Sequence, residues 1–139
     1  MSLYLVTGAA GFVGSSLVHA LLARGERVRG IDNFVTGRAE NLEGAGALDL
    51  IHADITDPAA IASAMRDVDF VLHEAAIPSV PRSLEDPVRS HEANATGTLR
   101  VLEAARAARS VRRVVYASSS SAYGDTEELP KHEQMRPQP

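Results

Sequence analysis

Short apolar segments of strand length alternate with longer segments of helical periodicity along almost the whole chain. The first apolar segment is Leu3 to Val6, and the apolar residues from about Phe12 to Ala23 then recur at helical spacing. The succession repeats, and further strands are predicted at Val28 to Ile31, Leu48 to Ile51, Phe70 to Leu72 and Val114 to Ala117. This alternation is typical of β-α-β units that build a parallel sheet.

Two further helices are marked by the same start signal, an aspartate followed by a proline. Asp57-Pro58 predicts a helix to about Met65, and Asp86-Pro87 predicts a long helix to about Ala108. Residues 33 to 47 are predicted as a loop with room for one short helix, and the polar segment after Gly124 as a surface segment. Five strands with right-handed crossovers give an α/β fold, a Rossmann-like doubly wound parallel sheet in the order 3-2-1-4-5.

Composition narrows the class of protein further. The 139 residues, 45% of them hydrophobic and 23% charged, fit one globular domain. Because the chain has no cysteine, it forms no disulfide, thiolate metal site or cysteine nucleophile. A net charge of −4 with scattered arginines argues against nucleic acid as a partner, and the lack of a long apolar run argues against a membrane. The histidines have no metal-ligand spacing, so no metal site is predicted, and a cytoplasmic location is expected.

A glycine-rich turn follows the first predicted strand and reads Thr7-Gly8-Ala9-Ala10-Gly11-Phe12-Val13-Gly14. Glycines at GxxGxxG spacing before a helix allow a sharp turn and a close approach of the backbone to a pyrophosphate, although a purely structural turn is the alternative. Asp32 ends the second strand, where a carboxylate can accept hydrogen bonds from both ribose hydroxyls. Such a carboxylate would repel a 2′-phosphate, which favours NAD over NADP, while Arg38 in the next loop leaves that preference open.

Six landmarks occur in the order and spacing of one family. They are Thr7 to Gly14, Asp32-Asn33-Phe34 with Gly37, Asp54-Ile55, His73-Glu74-Ala75-Ala76, Asn94 to Thr98, and Tyr116 to Gly124. The chain resembles the extended short-chain dehydrogenase/reductases of the NAD-dependent epimerase/dehydratase branch, and it is most similar to UDP-hexose 4-epimerases. The resemblance implies NAD as cofactor, a UDP-sugar as substrate, and a homodimer when the protein is full length.

The resemblance also implies roles for individual residues. Those that would hold the pyrophosphate, the adenosine ribose, the adenine and the nicotinamide side are, in turn, Gly8, Gly11, Phe12, Val13 and Gly14; Asp32, Asn33, Phe34, Thr36, Gly37 and Arg38; Asp54 and Ile55; and Ala75 and Ala76. Asn94 is predicted on the cofactor side, with a helix-distorting role or a plain helix-surface position as alternatives. Asp54 could instead cap a turn, and His73 is expected to be a buried structural histidine.

The serine run at the end of the fifth strand bears on the reaction. By the resemblance, Ser119 is the catalytic serine that hydrogen-bonds the reacting sugar hydroxyl, although a turn-capping serine is the alternative. Dehydratases of the family carry an Asp-Glu pair after this position and UDP-glucuronate decarboxylases carry an acid, whereas this chain has Ser120 and Ser121. That difference favours epimerisation. Ser79, Ser83 and Ser120 are further predicted sugar contacts, and 79 to 83 resembles the epimerase loop over the substrate.

The family's general base is a tyrosine with a lysine four residues later, and this pair is absent. The tyrosines at 4, 116 and 123 are followed at that distance by Gly8, Ser120 and Glu127. We therefore expect the chain to be the N-terminal NAD-binding domain, residues 1–139, of a longer protein, without the sixth strand and the C-terminal substrate lobe. Alone, it is expected to bind NAD weakly at most and to have no turnover. Alternatives are a reductase, decarboxylase or dehydratase acting on a nucleotide sugar, or a non-catalytic dinucleotide-binding module.

Overall fold

Five parallel strands form one sheet in the computed structural model, which describes residues 1–139. The strands are β1 (Leu3–Thr7), β2 (Arg27–Asp32), β3 (Asp49–His52), β4 (Phe70–His73) and β5 (Arg113–Tyr116). Their order is β3-β2-β1-β4-β5, so the predicted topology is confirmed. In register, Thr7 of β1 lies opposite Ile31 of β2 and His73 of β4, which brings the carboxyl ends of the central strands to one edge.

The first two helices follow the sequence signals closely. Helix α1 (Phe12–Ala23) begins directly after Gly11 and ends before Gly25, which has a φ of +77°. Helix α2 (Pro58–Ala64) is capped by Asp57, whose carboxylate accepts hydrogen bonds from Ala59 N and Ala60 N at 2.8 and 3.2 Å. The loop after β2 contains one short 3₁₀ helix, Ala39–Leu42, as the glycine-rich segment allowed.

The region from 80 to 108 differs from the prediction of one loop and one long helix. A short helix α3 (Val80–Glu85) occupies the predicted substrate loop, and α4 (Pro87–His91) follows it. A π-helical turn, Glu92–Thr96, then leads into α5 (Gly97–Ala108). The helix predicted from Pro87 is therefore interrupted by one wider turn. A second 3₁₀ helix, Ser120–Tyr123, follows β5.

Two hydrophobic clusters lie on the two faces of the sheet. Alternate residues of β1 divide between them, because successive side chains of a strand point to opposite faces: Leu5 belongs to one cluster and Val6 to the other. The Leu5 cluster packs under α2 and α5, and the Val6 cluster packs under α1. Full burial of a leucine or valine contributes about 1.5–3 kcal/mol. The sheet is thus fixed between helical layers, with its carboxyl edge left for the loops.

Candidate cofactor site

The turn between β1 and α1 is closely packed around its glycines. Gly8 has a φ of +66°, and its N–H donates to Ile31 O at 2.9 Å. A Cβ on Gly8 would lie 2.8 Å from Ala75 N, and a Cβ on Gly14 would overlap the carbonyl oxygen of Gly8. Both positions therefore exclude a side chain, because backbone atoms occupy the space.

Three backbone N–H groups at the start of α1 donate to no acceptor in the protein. They belong to Phe12, Val13 and Gly14, while Gly11 N donates to Gly8 O and Ser15 N to Gly11 O. No side chain caps this end of the helix. Free N–H groups and the positive end of the helix dipole together attract an anionic group. The turn thus has the donors and the open space that a pyrophosphate requires.

Asp32 at the end of β2 is buried and holds the glycine turn against the next loop. One carboxylate oxygen accepts a hydrogen bond from Ala10 N at 2.9 Å, and the other accepts one from Phe34 N at 2.7 Å. Gly37 packs against this carboxylate so closely that a Cβ would lie 2.8 Å from Oδ1. Because each carboxylate oxygen can accept a second hydrogen bond, the group retains the capacity to bind ribose hydroxyls.

Asp54 lies after β3 and bonds two neighbouring segments. Its Oδ1 accepts hydrogen bonds from Thr56 N at 2.8 Å and Thr56 Oγ1 at 2.7 Å, and Asn33 Nδ2 donates to Oδ2 at 2.6 Å. Burial opposes ionisation of this carboxyl, but the hydrogen bonds from Thr56 and Asn33 and the charge of Arg89 outweigh it, so the pKa lies below its ordinary value of 3.8. Asp54 therefore caps a turn and also lines the cleft described below.

The end of β4 contains one buried and one partly buried titratable group. His73 is buried, with Nδ1 2.6 Å from Thr7 Oγ1 and Nε2 2.9 Å from Thr98 Oγ1, and burial lowers its pKa below the ordinary 6.5. It is the structural histidine that the sequence predicted. Glu74, the next residue, has a pKa raised above 4.5 by burial. Its carboxyl faces the cleft and has no hydrogen-bond partner in the protein.

These loops enclose a cleft of about 390 Å³ at the carboxyl edge of the sheet. This volume lies within the range of small-molecule sites, roughly 300–1,000 Å³. Most of the predicted cofactor residues line it: Gly8, Gly11, Phe12, Val13, Gly14, Asp32, Asn33, Thr36, Asp54, Ile55, Ala75 and Ala76. The lining residues that the sequence analysis missed are Ile31, Val35, Ala53, Glu74, Ile77, Pro78, Ala93 and Ala117. All but Ala93 lie at or just beyond strand ends, so strand position is the signal that could have found them.

Other predicted cofactor residues lie outside the lining. Phe34 has a φ of +58°, and its ring meets the His52 ring edge-on at 5.0 Å, while Gly37 and Arg38 lie behind Asp32 in the same loop. Asn94 uses its side chain on the backbone of Ile77, accepting from Ile77 N at 2.8 Å and donating to Ile77 O at 3.1 Å.

The predicted substrate serines are exposed and serve as local turn caps. Ser79 Oγ accepts from Arg82 N at 3.3 Å, and Ser83 Oγ donates to Val80 O at 2.7 Å within α3. Ser119 Oγ donates to Ser121 Oγ at 3.0 Å and accepts from Ser121 N at 3.2 Å, two residues beyond the cleft-lining Ala117. Ser120 begins the 3₁₀ helix that follows.

Metal-binding clusters and membrane-spanning helices are both absent from the structure. No group of three or more histidine, aspartate or glutamate side chains is arranged to hold a metal ion. None of the helices combines the length and the apolarity needed to cross a bilayer.

A parallel sheet with free helix N–H groups after β1 and a carboxylate at the end of β2 defines a Rossmann-like dinucleotide-binding domain. The comparisons with known proteins identify the family. Residues 4–139 match the model of the NAD dependent epimerase/dehydratase family, and the chain belongs to that family.

Three relatives illustrate the range of similarity. The chain is 44% identical over 137 residues to UDP-glucose 4-epimerase of Mycolicibacterium smegmatis, covering 94% of this chain and 43% of the relative. It is 39% identical over 132 residues to UDP-glucuronic acid decarboxylase 1 of Danio rerio, covering 93% and 30%. The crystal structure of Thermus thermophilus UDP-glucose 4-epimerase in complex with NAD matches with a TM-score of 0.86 and 39% identity, covering 99% and 44%. The chain thus spans less than half the length of these relatives.

Proposed function

We propose that this chain is the NAD-binding part of a nucleotide-sugar 4-epimerase that acts on a UDP-hexose. The observation that carries the cofactor assignment is the set of three free N–H groups at Phe12, Val13 and Gly14, which face the same cleft as the Asp32 carboxylate. The relatives that are UDP-glucose 4-epimerases support the reaction. The domain assignment, residues 1–139 as the N-terminal part of a longer enzyme, belongs to the same proposal.

The residues that fit NAD divide the cleft by chemistry. The free N–H groups would bind the pyrophosphate, Asp32 would accept hydrogen bonds from the adenosine ribose, and the small side chains of Ala75 and Ala76 would leave room for the nicotinamide. When bound, NAD supplies a reversible hydride acceptor. The negative charge of Asp32 favours NAD over NADP, because a 2′-phosphate there would meet a carboxylate.

Ser119 would hydrogen-bond the oxygen at C4 of the sugar. In this structure its hydroxyl donates to Ser121 Oγ at 3.0 Å in an exposed position, so a substrate hydroxyl could replace that acceptor. Loss of hydride at C4 and of the hydroxyl proton gives a 4-keto sugar, and return of hydride to its other face completes the inversion. By the family resemblance, the proton acceptor is a tyrosine downstream of these residues.

The reaction separates the proposal from its rivals. Full-length protein should interconvert UDP-glucose or UDP-N-acetylglucosamine with its 4-epimer at constant mass and without added reductant. A decarboxylase would instead release CO₂ from UDP-glucuronate, and the similarity to decarboxylases makes this the second candidate. The absence of an acid at Ser120 and Ser121 favours the epimerase. Product from UDP-glucuronate alone would refute the proposal.

The role of Ser119 has its own test. In the full-length enzyme, Ser119→Ala should lower turnover about 100- to 1000-fold, the usual effect of losing one aligned hydrogen bond in a transition state. Ser118→Ala is the matched control, because Ser118 is exposed and makes no side-chain hydrogen bond. Near-normal turnover of Ser119→Ala would show that Ser119 is only a turn residue.

We further propose that the full-length protein is a homodimer, with the outer surface of α5 as a contact. Leu99 and Leu102 of this helix are 58% and 44% exposed, which is a high exposure for leucine. Light scattering of the full-length protein tests this proposal, and a monomeric mass at micromolar concentration would refute it. A cytoplasmic location stays a prediction.

A further inference from the structure

The residues Asn94–Thr98 contact three separate parts of the cofactor cleft without lining it. Asn94 holds the backbone of Ile77, which follows β4, through the hydrogen bonds of 2.8 and 3.1 Å. Gly97 packs on Ile55, which follows β3, so closely that a Cβ would lie 2.6 Å from Ile55 Cδ1. Ile55 and Ile77 both line the cleft, although β2 and β1 separate their strands in the sheet.

The third contact is a directional chain of hydrogen bonds through His73. Thr7 Oγ1 accepts from the backbone N–H groups of Glu74 and Ala75 at 3.2 and 3.1 Å, so its own proton must be donated to His73 Nδ1. His73 Nε2 then carries the hydrogen and donates to Thr98 Oγ1 at 2.9 Å. The Thr98 hydroxyl in turn donates to Asn94 O at 2.7 Å. Each group has one role, and a neutral imidazole is the only form that satisfies the whole chain.

The π-helical turn lies at the same position. The turn Glu92–Thr96 ends immediately before Gly97, where the helix comes closest to Ile55. The carbonyl of Asn94 receives the Thr98 hydroxyl within this wider turn. Wider turns of this kind inside α-helices occur frequently at functional sites.

We propose that Asn94–Thr98 is a positioning clamp: it joins the loop after β3 to the loop after β4 and thereby sets the width of the cofactor cleft. The inference rests on the proposed function for the identity of the ligand, NAD. It assigns the NATGT segment an action through Ile55, Ile77 and His73, and no direct contact with the cofactor. Thr98 and Asn94 are therefore positioning residues.

The test compares substitutions that differ by one polar group. Thr98→Val removes the hydroxyl at constant shape and leaves the buried His73 Nε2–H without an acceptor, whereas Thr98→Ser keeps the hydroxyl. Thr98→Val and Asn94→Ala should each weaken NAD binding about 2- to 30-fold, the range found when coupled contacts are removed. Thr98→Ser should bind NAD within about twofold of the wild type. Affinity is measured by NMR titration of the folded chain, and thermal unfolding is recorded in parallel.

A control separates positioning from loss of stability. Ala105→Gly lies in the same helix, two turns beyond Thr98, and lowers helix stability without touching the clamp. It should lower the unfolding temperature and leave NAD affinity unchanged. Equal NAD affinity of Thr98→Val, Asn94→Ala and the wild type, with reduced stability, would overturn the clamp, as would equal losses in Thr98→Ser and Thr98→Val.

Hydrogen exchange gives a readout that does not depend on the ligand. The amide of Ile77 donates to Asn94 Oδ1, so Asn94→Ala should accelerate its exchange by at least tenfold while the amides of α2 are unaffected. Unchanged exchange at Ile77 would overturn the proposal. If the wild-type chain binds no NAD, the cofactor assignment fails, and the exchange of Ile77 still decides the clamp by itself.

Discussion

Substituting Asp32 by asparagine should destabilise the fold in the absence of any ligand. The carboxylate is buried, and its two oxygens accept hydrogen bonds from Ala10 N at 2.9 Å and Phe34 N at 2.7 Å. Asparagine offers one acceptor oxygen and places an amide NH₂ where the second oxygen was. One backbone donor would then face another donor with no acceptor between them.

The expected cost follows from the kind of bond that is lost. A hydrogen bond to a charged group contributes about 1.5–3 kcal/mol, and an unsatisfied buried donor costs about the same. We therefore expect Asp32→Asn to lower the free energy of unfolding by about 2 kcal/mol. At an m-value of about 2 kcal/mol/M, the urea midpoint would fall by about 1 M. Asp32→Ala removes both acceptors and should cost more.

Urea unfolding followed by circular dichroism measures this difference. The control is Glu40→Gln, which removes the same charge from an exposed position in the following loop, with no side-chain hydrogen bond lost. It should stay within about 0.5 kcal/mol of the wild type. If Asp32→Asn were as stable as Glu40→Gln, the two backbone contacts would not hold the turn, and Asp32 would act on the ligand alone.

Three further predictions concern the cleft and the helix ends. Gly14→Ala should abolish detectable NAD binding in an NMR titration, since its Cβ would overlap the Gly8 carbonyl and displace the free N–H groups; unchanged binding would contradict the assignment of the turn. Arg109→Gly should stabilise the chain by about 1 kcal/mol, because Arg109 has a φ of +57° at the end of α5 and glycine adopts that conformation without strain; an unchanged or lower urea midpoint would argue against strain there. Glu74→Gln should stabilise the chain at neutral pH. Burial raises the folded-state pKa above 4.5, so the stability that Glu74 contributes is present below that pH and is lost as the pH rises through the folded value. In urea titrations the advantage of the glutamine should therefore vanish below pH 4.5, and an advantage that persists there would have another cause.

The sheet and its order could be predicted from the sequence because local signals and the global fold agree. The apolar segments are short, the glycines and Asp-Pro pairs mark the boundaries between elements, and right-handed crossovers leave few topologies. The predicted ends of helix α1, Phe12 and Ala23, are the observed ones, because Gly11 and Gly25 bracket one continuous helical period.

The region between β4 and α5 could be predicted only in part. Helix α3 has six residues, too few for apolar periodicity to register, although Ser79 before it and Pro81 within its first turn are start signals that were available. The π-helical turn depends on contacts distant in sequence. Asn94 meets Ile77 and Thr98 meets His73, 17 and 25 residues away, so no local pattern contains the turn.

The cleft shows the same division between local and distant causes. Residues just beyond strand ends, such as Asp32 and Ala75, are placed by topology alone, because parallel strands bring their carboxyl ends to one edge. The backbone contacts of Asn94 were not foreseeable, since they depend on how closely α5 approaches the sheet at Gly97.

The two halves of the site are built differently, and this has a consequence for their chemistry. On the cofactor side, Asp32 and His73 are buried and their hydrogen bonds also hold the fold together. On the proposed substrate side, Ser119 is exposed and bonded only to its neighbour Ser121. Substitutions at Asp32 and His73 should therefore reduce both stability and binding, whereas Ser119→Ala should leave stability within about 0.5 kcal/mol of the wild type. Ordering of the serine loop is thus left to the substrate or to contacts outside these residues, while the cofactor walls are organised in advance by the fold.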